Sequence, residues 1–559
     1  MASERIVLIG FSGTGKSTVA RLLADRLGWS IVDTDDEIVR EVGQDIPAIF
    51  ADLGEPAFRA IERRHLLAAV ARKRVVVATG GGAVVDPVVW DHNLLGANDT
   101  LVVALDAAPE TTLARLREQE SQDGAAVSRP LLQGDDPQAR IASLKARRQH
   151  AYDRADITLI VDSVPSARVA EEIECLLRSE SNLEPPLTLD APGGSSKIYI
   201  APGLSSAIGD LIRRRWPTTR RCWVVTDANV SMFHLEPLAD KLREVGLRVE
   251  SRAVPPGEHS KSLTVVESLY DWLLDAGIER SDVVIALGGG VIGDLAGFVA
   301  ATCLRGVGLV QMPTSLLAMV DSSVGGKTGV NHRAGKNLIG AFYQPPLVVV
   351  DPALLGTLPK RELDSGWAEV LKHGVIQPST PQGECGDLLS FYERNAERLI
   401  HLGEPALTYA IRRNVALKAA VVEADERESG IRAYLNFGHT LGHAIEAAEY
   451  RYLHGEAIAA GMRAAFRIGQ ELGTVNSAAA DRIEALIARY GLPTEVEVDE
   501  ERVLSLVGSD KKRAAGNIRW VLPLDEGGVT IRDNVPDAIV RAALAVVARR
   551  KPAVNALPS

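Results

Sequence analysis

The segment Gly10-Phe-Ser-Gly-Thr-Gly-Lys-Ser17 decides the fold of the first part of the chain. It matches Gly-x-x-x-x-Gly-Lys-Ser/Thr at every position and follows Arg5-Ile-Val-Leu-Ile9, an apolar run typical of a buried strand. In such a unit, backbone N–H groups and the lysine surround a nucleotide's phosphates, and the hydroxyl can bind Mg²⁺. A glycine-rich turn without a ligand is disfavoured by the strand before it and the helical pattern after it. We therefore predict a nucleotide and magnesium site that contains Gly13, Thr14, Gly15, Lys16, Ser17 and Thr18.

Three further motifs follow in the same part of the chain. Ile31-Val-Asp33-Thr-Asp35 ends a short strand with two carboxylates, of which one can serve Mg²⁺ and the other a substrate hydroxyl. Phe58-Arg59-Ala-Ile-Glu62 places a cation and an anion one helical turn apart. A buried strand, Val75-Val-Val-Ala-Thr79, runs into Gly80-Gly-Gly82, where only backbone approaches a ligand closely. These motifs predict that a phosphate acceptor binds beside the nucleotide loop.

In this order, and with Ser128-Arg129-Pro-Leu-Leu after a polar, lid-like segment, the motifs resemble shikimate kinase over residues 1–178. The resemblance implies a P-loop fold like that of nucleoside monophosphate kinases, with ATP as donor and shikimate as acceptor. It implies that Ser17 and Asp33 serve magnesium and that the catalytic residues are Lys16, Asp35 and Arg129. It implies a shikimate site made of Asp35, Arg59, Gly80, Gly81, Gly82 and Arg148. Such a site suits a small anionic polyol, because a planar arginine side chain can bind the ligand's carboxylate and an aspartate side chain can bind its hydroxyl groups. The adenine contact is left open between Arg115 and Arg117.

The stretch from Ser179 to Ser196 is rich in proline, glycine and serine and lacks apolar periodicity. That composition predicts a linker between two parts that fold on their own. After it, short apolar strands such as Lys197-Ile-Tyr-Ile-Ala, Cys222-Trp-Val-Val-Thr and Asp282-Val-Val-Ile-Ala-Leu alternate with helical patterns, which predicts a parallel α/β sheet. We predict a kinase domain at 1–178, a linker at 179–196, a Rossmann-like half at 197–353 and a mostly helical half at 354–559. A β-hairpin is predicted within the helical half, near Ile518–Ile531.

Two glycine-rich segments stand out in the Rossmann-like half. Gly288-Gly-Gly-Val-Ile-Gly-Asp294 follows the third strand but departs from the usual dinucleotide fingerprint, so alone it is a weak signal. Pro313-Thr-Ser315 leads into Asp321-Ser-Ser-Val-Gly-Gly-Lys327, and Gly335-Lys336-Asn337 follows. A loop so rich in glycine, serine and lysine suits a phosphorylated anionic substrate, whereas the alternative is a solvated basic loop.

The helical half contains a histidine-rich segment, Asn436-Phe-Gly-His-Thr-Leu-Gly-His443, followed by His454-Gly-Glu456. His439 and His443 are four apart, so on a helix they project from one face and spacing alone pairs them as metal ligands. Glu369 can supply an anionic ligand, and a set of two histidines and one glutamate leaves a position open, as in a catalytic zinc site. The alternative is that these are ordinary buried or surface histidines.

Together these segments closely resemble 3-dehydroquinate synthase over residues 197–540. The resemblance implies zinc held by Glu369, His439 and His454, and it turns His443 to the substrate. It implies an NAD⁺ site made of Asp227, Asn229, Glu258, Lys261, Gly289, Gly290, Val291, Asp294, Thr314, Ser315, Asp321, Lys336 and Thr357. It implies a substrate site made of Lys327, Lys336, Asn337, Lys372, Lys418, Arg432, Asn436, His443 and one of Lys511 or Lys512. Of these, Lys327, Lys372, Lys418 and His443 are the catalytic candidates.

The two resemblances imply a bifunctional enzyme of aromatic amino acid and chorismate biosynthesis that phosphorylates shikimate and cyclises 3-deoxy-D-arabino-heptulosonate 7-phosphate to 3-dehydroquinate. In that family Arg305 reaches the neighbouring subunit's site, which implies a homodimer through the synthase half. One alternative is that the synthase half is another sugar-phosphate cyclase, of the sedoheptulose-phosphate type. Another is that one half is a degenerate scaffolding module, but no predicted site residue is missing from either half. Zinc and cobalt are both left open as the metal.

Composition excludes other classes of function. The net charge of −11 argues against nucleic acid as a partner, because phosphate neutralisation needs a basic face. The four cysteines are widely spaced and include no Cys-x-x-Cys pair, which indicates thiols in a reducing compartment. No apolar run approaches membrane-spanning length, and the start of the chain does not read as a signal peptide, so we predict a cytoplasmic protein.

Overall fold

The computed structural model describes residues 3–92, 94–123, 136–179, 186–383, 386–513 and 518–550. The chain forms two compact units. The first contains Met1–Glu184 and Glu384–Leu407, and the second contains Pro185–Gly383 and Thr408–Ser559. Among the helices in these described ranges, none is long and apolar enough to cross a membrane.

The first unit is built on a five-stranded parallel sheet with strand order β2-β3-β1-β4-β5. The strands are β1 (Arg5–Ile9), β2 (Ser30–Asp33), β3 (Val75–Ala78), β4 (Thr100–Asp106) and β5 (Ile157–Ile160). The helices are α1 (Lys16–Leu27), α2 (Thr34–Val42), α3 (Ile46–Val70), α4 (Pro109–Asp123), α5 (Pro137–Tyr152) and α6 (Ser166–Ser179). Strands β1, β3 and β4 are almost wholly buried apolar runs, as expected where helices cover both faces of a parallel sheet. This confirms the predicted P-loop kinase architecture.

The second unit contains a seven-stranded sheet with order β6-β7-β14-β11-β10-β8-β9, in which the β6–β7 pair is antiparallel and the other pairs are parallel. Its strands are β6 (Leu187–Ala191), β7 (Gly194–Ile200), β8 (Arg221–Asp227), β9 (Arg248–Val254), β10 (Val283–Gly288), β11 (Gly308–Pro313) and β14 (Leu347–Val350). A separate hairpin is formed by β12 (Lys327–His332) and β13 (Gly335–Phe342). The accompanying helices are α7 (Ile208–Arg215), α8 (Ala228–Glu244), α9 (Leu263–Asp275) and α10 (Gly290–Thr302). The predicted Rossmann-like sheet is confirmed.

The linker predicted over residues 179–196 differs from the structure in its second part. Strand β6 and the start of β7 occupy that part and extend the large sheet at its edge. Leu189 pairs with Ser196, and the strands join at Pro192-Gly193. The prediction gave weight to the proline, glycine and serine residues, although an antiparallel hairpin needs such a turn. It overlooked the short alternation of apolar Leu187, Leu189 and Ala191 in β6.

The rest of the second unit is mainly helical. Its elements are α11 (Lys360–Ile376), α13 (Ala406–Ala424), α14 (His439–Ala448), α15 (His454–Leu472), α16 (Ser477–Arg489), α17 (Glu500–Arg513) and α18 (Asp537–Val547), with short strands β15 (Val496–Val498), β16 (Trp520–Pro523), β17 (Val529–Arg532) and β18 (Ala548–Arg550). Helix α15 is buried along most of its length and packs against both α11 and α14. Strands β16 and β17 form the predicted hairpin. Helix α12 (Leu388–Ile400) is grouped with the first unit, which the sequence did not indicate.

Candidate active sites

The P-loop lies between β1 and α1, at the carboxyl end of a central strand of the first sheet. Gly10 has φ 136°, and a Cβ atom there would lie 2.3 Å from the carbonyl oxygen of Leu105, so only glycine fits. Lys16 is buried, and its Nζ donates to the carbonyl oxygens of Gly10 and Phe11, each at 2.9 Å. Burial lowers the pKa of Lys16 to about 8, and the carboxylates of Asp35 and Asp33 oppose that change. The lysine is thus held beside the loop where phosphates bind.

The remaining P-loop predictions fall on the same turn. Thr14 Oγ1 donates to the carbonyl oxygen of Phe11 at 2.9 Å, while Ser17 and Thr18 are exposed in the first turn of α1. Gly13 and Gly15 both have positive φ, 81° and 90°. This arrangement leaves the N-terminus of α1 open toward an anion.

Asp33 and Asp35 stand where β2 passes into α2. Asp33 caps the helix by accepting from the backbone N–H of Asp35 at 3.1 Å and of Asp36 at 3.5 Å. Burial, with the charges of Asp33 and Glu62, raises the pKa of Asp35 to about 6. A carboxylate with that pKa can accept a proton near neutral pH, whereas an exposed aspartate is a weaker base.

The turn Gly80–Gly82 brings the predicted shikimate residues together. A Cβ at Gly82 would lie 2.5 Å from Arg59 Nη2, and a Cβ at Gly80 would lie 2.7 Å from Asp35 Oδ1. The Gly81 carbonyl oxygen accepts from Arg148 Nη1 at 3.1 Å. A side chain at Gly80 would therefore displace the Asp35 carboxylate, and one at Gly82 would displace Arg59, so glycine is needed at both positions.

Two side chains that were not predicted to belong to the shikimate site complete this pocket. Glu62 is 2% exposed, and its Oε2 lies 2.5 Å from Arg59 Nη1. Burial raises the pKa of Glu62, and Arg59 opposes that change. Tyr152 donates its hydroxyl to the Gly81 carbonyl oxygen at 2.5 Å, and burial raises its pKa to about 12. The spacing of Glu62 one turn after Arg59 was a usable signal, whereas nothing local indicated Tyr152.

The three remaining arginines predicted for the kinase site are Arg129, Arg115 and Arg117. Arg129 lies outside the described residues. Arg115 Nη2 donates to the carbonyl oxygens of Val161 and Asp162, at 2.6 Å and 3.1 Å, so it anchors the segment after β5. Arg117 lies on α4, where it is exposed.

In the second unit, one cavity of about 1670 Å³ gathers most of the synthase predictions. It opens at the carboxyl ends of β8, β10 and β11, where parallel sheets bind ligands. Its lining includes the entire predicted NAD⁺ set: Asp227, Asn229, Glu258, Lys261, Gly289, Gly290, Val291, Asp294, Thr314, Ser315, Asp321, Lys336 and Thr357. Of the predicted substrate residues, the lining includes Lys327, Lys336, Asn337, Lys418, Arg432 and His443, but not Asn436.

The strand ends shape the part of this cavity predicted to hold the dinucleotide. Helix α10 begins at Gly290, so its N-terminus faces the cavity and favours an anionic group. A Cβ at Gly290 would lie 3.0 Å from Ser322 Oγ, so a side chain at this position would be crowded. Asp227 caps α8 through the N–H groups of Asn229 and Val230, at 2.9 Å and 3.1 Å. These features fit a dinucleotide, because the backbone must approach its pyrophosphate closely and a carboxylate must accept hydrogen bonds from its ribose.

A lysine-centred contact ties the glycine-rich loop to this part of the cavity. Lys261 Nζ lies 2.7 Å from Asp294 Oδ2 and donates to Asn337 Oδ1 at 2.6 Å. Burial raises the pKa of Asp294, and the nearby ammonium of Lys261 opposes that change. Asn337 has φ 56°, a left-handed conformation that asparagine tolerates better than most residues. The loop is thus positioned by side chains that belong to the predicted cofactor set.

The three predicted metal ligands converge from α11, α14 and α15. Glu369 Oε1 lies 3.5 Å from His439 Nε2 and 3.2 Å from His454 Nε2, and the three ligand atoms lie within 4.8 Å of one another. His439 Nδ1 contacts the Phe437 carbonyl oxygen at 3.0 Å, which leaves Nε2 toward Glu369. Burial alone would raise the pKa of Glu369, but Lys372 and the two histidines hold it well below its usual range. Two imidazoles and one carboxylate of this geometry fit a catalytic zinc site.

His443, Glu446 and His454 form a second group whose ligand atoms also lie within 4.8 Å of one another. His443 is exposed, whereas Glu369 and His439 are buried. Glu446 Oε2 lies 3.3 Å from His454 Nδ1, and Glu446 Oε1 accepts from Lys336 at 2.7 Å. Glu446 therefore orients His454 from its other ring nitrogen, a role that supports a metal ligand.

Cationic side chains from α13, from β12 and from the segment before α14 form part of the cavity wall. Lys418 is buried, and its Nζ lies 2.6 Å from Asp321 Oδ1; burial lowers the pKa of this lysine. Arg432 Nη2 donates to the Gly325 carbonyl oxygen at 3.1 Å. Lys327 pairs with Glu428, which also accepts from Asn436 Nδ2 at 2.6 Å. The wall is suited to bind an anionic substrate.

A few synthase predictions lie away from the cavity lining. Lys372 is 1% exposed and pairs with Glu369. Arg305 is exposed and follows Leu304, and both have positive φ, 65° and 50°. Lys511 and Lys512 belong to α17, whose side chains at these positions are not described.

The fold and the two sites define a P-loop kinase joined to a Rossmann-type enzyme with a metal-ligand cluster. Residues 12–177 match the family model of shikimate kinase. Residues 251–365 and 366–513 match the models of the N-terminal and C-terminal parts of 3-dehydroquinate synthase. The chain is 47% identical over 348 residues to 3-dehydroquinate synthase of Symbiobacterium thermophilum, a match that covers 61% of this chain and 95% of that protein.

Two solved structures share the fold of the second unit. 2-Epi-5-epi-valiolone synthase from Streptomyces hygroscopicus, with NAD⁺ and Zn²⁺ bound, is 26% identical with TM-score 0.57, covering 63% of this chain and 96% of that one. 2-Deoxy-scyllo-inosose synthase, with carbaglucose-6-phosphate, NAD⁺ and Co²⁺, is 22% identical with TM-score 0.55, covering 64% and 98%. The first is a cyclase of another specificity, but its identity to this chain is far below that of the 3-dehydroquinate synthase.

The chain belongs to the 3-dehydroquinate synthase family and carries a shikimate kinase domain before it. It is a bifunctional shikimate-pathway enzyme, a phosphotransferase and a carbon–oxygen lyase in one chain. The alternative of a different sugar-phosphate cyclase and that of a degenerate scaffold are both disfavoured by these matches.

Proposed function

We propose that Arg59 and Arg148 bind the shikimate carboxylate and that Asp35 orients the hydroxyl group that accepts the phosphoryl group. The observation that supports this most directly is the Gly80–Gly82 turn, which packs against all three side chains. Guanidinium groups recognise a carboxylate through paired hydrogen bonds, and Asp35 accepts a proton readily with a pKa of about 6. Glu62 would hold Arg59 in position through their ion pair, and the Tyr152 hydroxyl would support the turn by donating to the Gly81 carbonyl oxygen.

On the donor side, Lys16 and the N–H groups of the P-loop would stabilise the β and γ phosphates of ATP. Ser17 and Asp33 are the proposed magnesium residues, the hydroxyl by direct contact and the carboxylate from the end of β2. Arg129 is proposed to close over the transferring group, and Arg115 or Arg117 to lie near the adenine.

The kinase proposal is tested on the full chain with shikimate, ATP and magnesium, by measuring ADP formation. Arg148→Ala should raise the KM for shikimate while leaving the KM for ATP near the parent value. Arg147→Ala is a matched control, because Arg147 is the adjacent arginine on α5 and is exposed. Equal effects of the two substitutions on the KM for shikimate would refute the assignment of Arg148.

For the second unit, we propose that NAD⁺ binds at the strand ends and that Glu369, His439 and His454 hold zinc, with cobalt as the alternative metal. When bound, NAD⁺ would supply reversible oxidation of a substrate alcohol, and the metal would supply Lewis-acid polarisation of a hydroxyl group. The donor set and the glycine-lined cradle described above both fit these groups.

We propose that the chain's own residues hold the substrate 3-deoxy-D-arabino-heptulosonate 7-phosphate by its two anionic ends. Lys327, Lys336, Arg432 and Asn337 would bind carboxylate and phosphate oxygens, and so keep a flexible molecule near its reacting geometry. Lys418 and Lys372 keep positive charge close to the reacting centre, where Asp321 and Glu369 hold them. His443, exposed to the cavity, is the proposed proton shuttle, while Asn436 positions Glu428 beside Lys327.

The synthase proposal is tested by release of inorganic phosphate from 3-deoxy-D-arabino-heptulosonate 7-phosphate in the presence of NAD⁺ and zinc. Sedoheptulose 7-phosphate under the same conditions is the control for the alternative cyclase activity. Release from the second compound alone would overturn the substrate assignment.

We also propose a homodimer through the second unit, in which Arg305 contacts the neighbouring subunit's site. The support is the consecutive left-handed conformation of Leu304 and Arg305, which holds the arginine exposed on a strained turn of the kind found at functional sites. Arg305→Ala should lower synthase turnover, and mixing it with an inactive His443→Ala chain should restore part of the activity if sites are shared. A monomer in solution would refute the proposal.

The proposed compartment is the cytoplasm. Cys222 and Cys303 are both buried free thiols, as expected for a protein in a reducing environment.

A further inference from the structure

Helix α12 lies within residues 366–513, which match the 3-dehydroquinate synthase C-terminal model, yet it completes the first unit. It packs against β5, the last strand of the five-stranded sheet. An edge strand presents backbone N–H and C=O groups that have no neighbouring strand, and a stable fold covers or pairs them. Helix α12 covers this edge.

Asn395 of α12 takes the place of a neighbouring strand. Its Oδ1 accepts from the Thr158 N–H at 3.0 Å, and its Nδ2 donates to the Thr158 carbonyl oxygen at 2.9 Å. Asn395 is 0% exposed, and the same Nδ2 donates to the Phe391 carbonyl oxygen at 3.0 Å. A primary amide carries one acceptor and two donors, so it can satisfy both backbone groups of one residue at once. This contact joins residues 237 positions apart.

Two arginines on the same helix reach the ends of neighbouring elements. Arg398 Nη2 donates to the carbonyl oxygens of Asp153 and Ala155, just after the end of α5. A cation at the C-terminus of a helix satisfies its last carbonyl groups and interacts favourably with the helix dipole. Arg394 Nε lies 2.9 Å from Asp106 Oδ2, and Asp106 Oδ1 lies 2.5 Å from Lys145 Nζ of α5. Helix α12 therefore contacts α5 at its end and, through Asp106, along its length.

Helix α5 carries side chains of the shikimate pocket on the same face. Lys145, Arg148 and Tyr152 are spaced three and four residues apart, which places them on one side of the helix. Arg148 and Tyr152 both donate to the Gly81 carbonyl oxygen. A shift of the C-terminal end of α5 would therefore move Arg148 relative to the Gly80–Gly82 turn. Misplacement by about 1 Å in a binding group is enough to lower catalytic efficiency strongly.

We propose that α12 is a positioning element of the kinase, and that Asn395, Arg394 and Arg398 hold α5 and β5 so that Arg148 meets the shikimate carboxylate. This rests on the proposed role of Arg148. A helix encoded inside the synthase sequence thus belongs to the working structure of the kinase, and the kinase is a discontinuous unit of Met1–Glu184 and Glu384–Leu407.

The test uses full-length chains with Asn395→Ala and Arg398→Ala, and Glu397→Ala as the matched control on the exposed side of α12. We expect the KM for shikimate to rise roughly three- to tenfold in the first two variants, the range expected for the loss of one or two hydrogen bonds. The KM for ATP and the synthase turnover should stay near the parent values, and Glu397→Ala should behave as the parent in every measurement. Arg398 is half-buried, so this variant carries the test if Asn395→Ala fails to fold.

Three results separate the outcomes. An unchanged KM for shikimate in both variants overturns the positioning role, as does a fall in kcat with both KM values unchanged, because that is the signature of a smaller folded fraction. A change in Glu397→Ala equal to that in Arg398→Ala also overturns it. Arg148→Ala, measured alongside, distinguishes the two proposals. If it leaves the KM for shikimate unchanged, the assignment of Arg148 fails; if it raises that KM while the α12 variants do not, the role of α12 fails.

Discussion

The Nε2 atom of His454 lies 3.2 Å from Oε1 of Glu369, although the two residues are 85 positions apart in the chain. His439 completes this group from a third helix, with its Nε2 3.5 Å from the same oxygen. His443 is only one turn from His439 on α14, yet it joins a different and more exposed group with Glu446. The proposed ligand set of Glu369, His439 and His454 therefore depends on the packing of α11, α14 and α15, and the i, i+4 spacing of two histidines would not have selected it.

Replacement of His439 by alanine should remove the metal and abolish synthase turnover. Because the three ligand atoms converge within 4.8 Å, the loss of one leaves two ligands, and metal affinity should fall by more than ~100-fold. Bound zinc is measured by elemental analysis of the purified chain, and phosphate release measures turnover. ADP formation from shikimate should be unaffected, since His439 belongs to the other unit. Full metal retention would contradict the ligand assignment.

Replacement of His443 by alanine should lower synthase turnover but leave the metal bound. The exposed imidazole lines the cavity and is not one of the three proposed metal ligands. We expect metal content equal to the parent and synthase turnover lowered about 100-fold, the usual contribution of a general acid or base. Loss of zinc in this variant would show that His443, Glu446 and His454 form the true metal site.

Features of the fold and sites that are formed by one contiguous segment were predictable from the sequence, whereas those formed by distant segments were not. The P-loop is a single contiguous segment, so its position and its residues were predictable from residues 10–18. The metal group and the NAD⁺ residues are spread over several elements, and only the resemblance to a known family assigned them. The pairing of Asn395 with Thr158 has no local signature at all, because an asparagine on an amphipathic helix reads as an ordinary polar residue. Strand β6 was missed because it is only five residues long and lies between Pro185-Pro186 and Pro192-Gly-Gly194, whose composition is that of a turn-rich linker.

Replacement of Glu62 by glutamine should weaken shikimate binding without affecting ATP. The substitution keeps the shape of the side chain and removes the charge that holds Arg59 Nη1 at 2.5 Å. We expect the KM for shikimate to rise about tenfold, consistent with the loss of a buried, charge-assisted hydrogen bond. Initial rates of ADP formation at varied shikimate and fixed, saturating ATP measure it.

The matched control for this prediction is Glu55→Gln. Glu55 also pairs with Arg59, at 3.2 Å, but its side chain is 65% exposed, and exposed ion pairs contribute little. Its KM for shikimate should stay within about twofold of the parent. If Glu55→Gln and Glu62→Gln have the same effect, the buried contact has no special role in placing Arg59.

Replacement of Asp35 by asparagine should abolish kinase activity and at the same time stabilise the first unit above neutral pH. The pKa of Asp35 is raised from its ordinary value of 3.8 to about 6 by burial and by Asp33 and Glu62, so the ionised form is disfavoured in the folded state. The stability that the protonated group provides is fully present below about pH 4 and is lost as pH rises through about 6. The asparagine variant, which does not ionise, should therefore exceed the parent by up to ~2–3 kcal/mol near pH 8. The difference should roughly halve near pH 5 and vanish below about pH 4, as measured by urea unfolding of both chains at each pH. A constant difference across this range would show that Asp35 is not held in a pocket that raises its pKa.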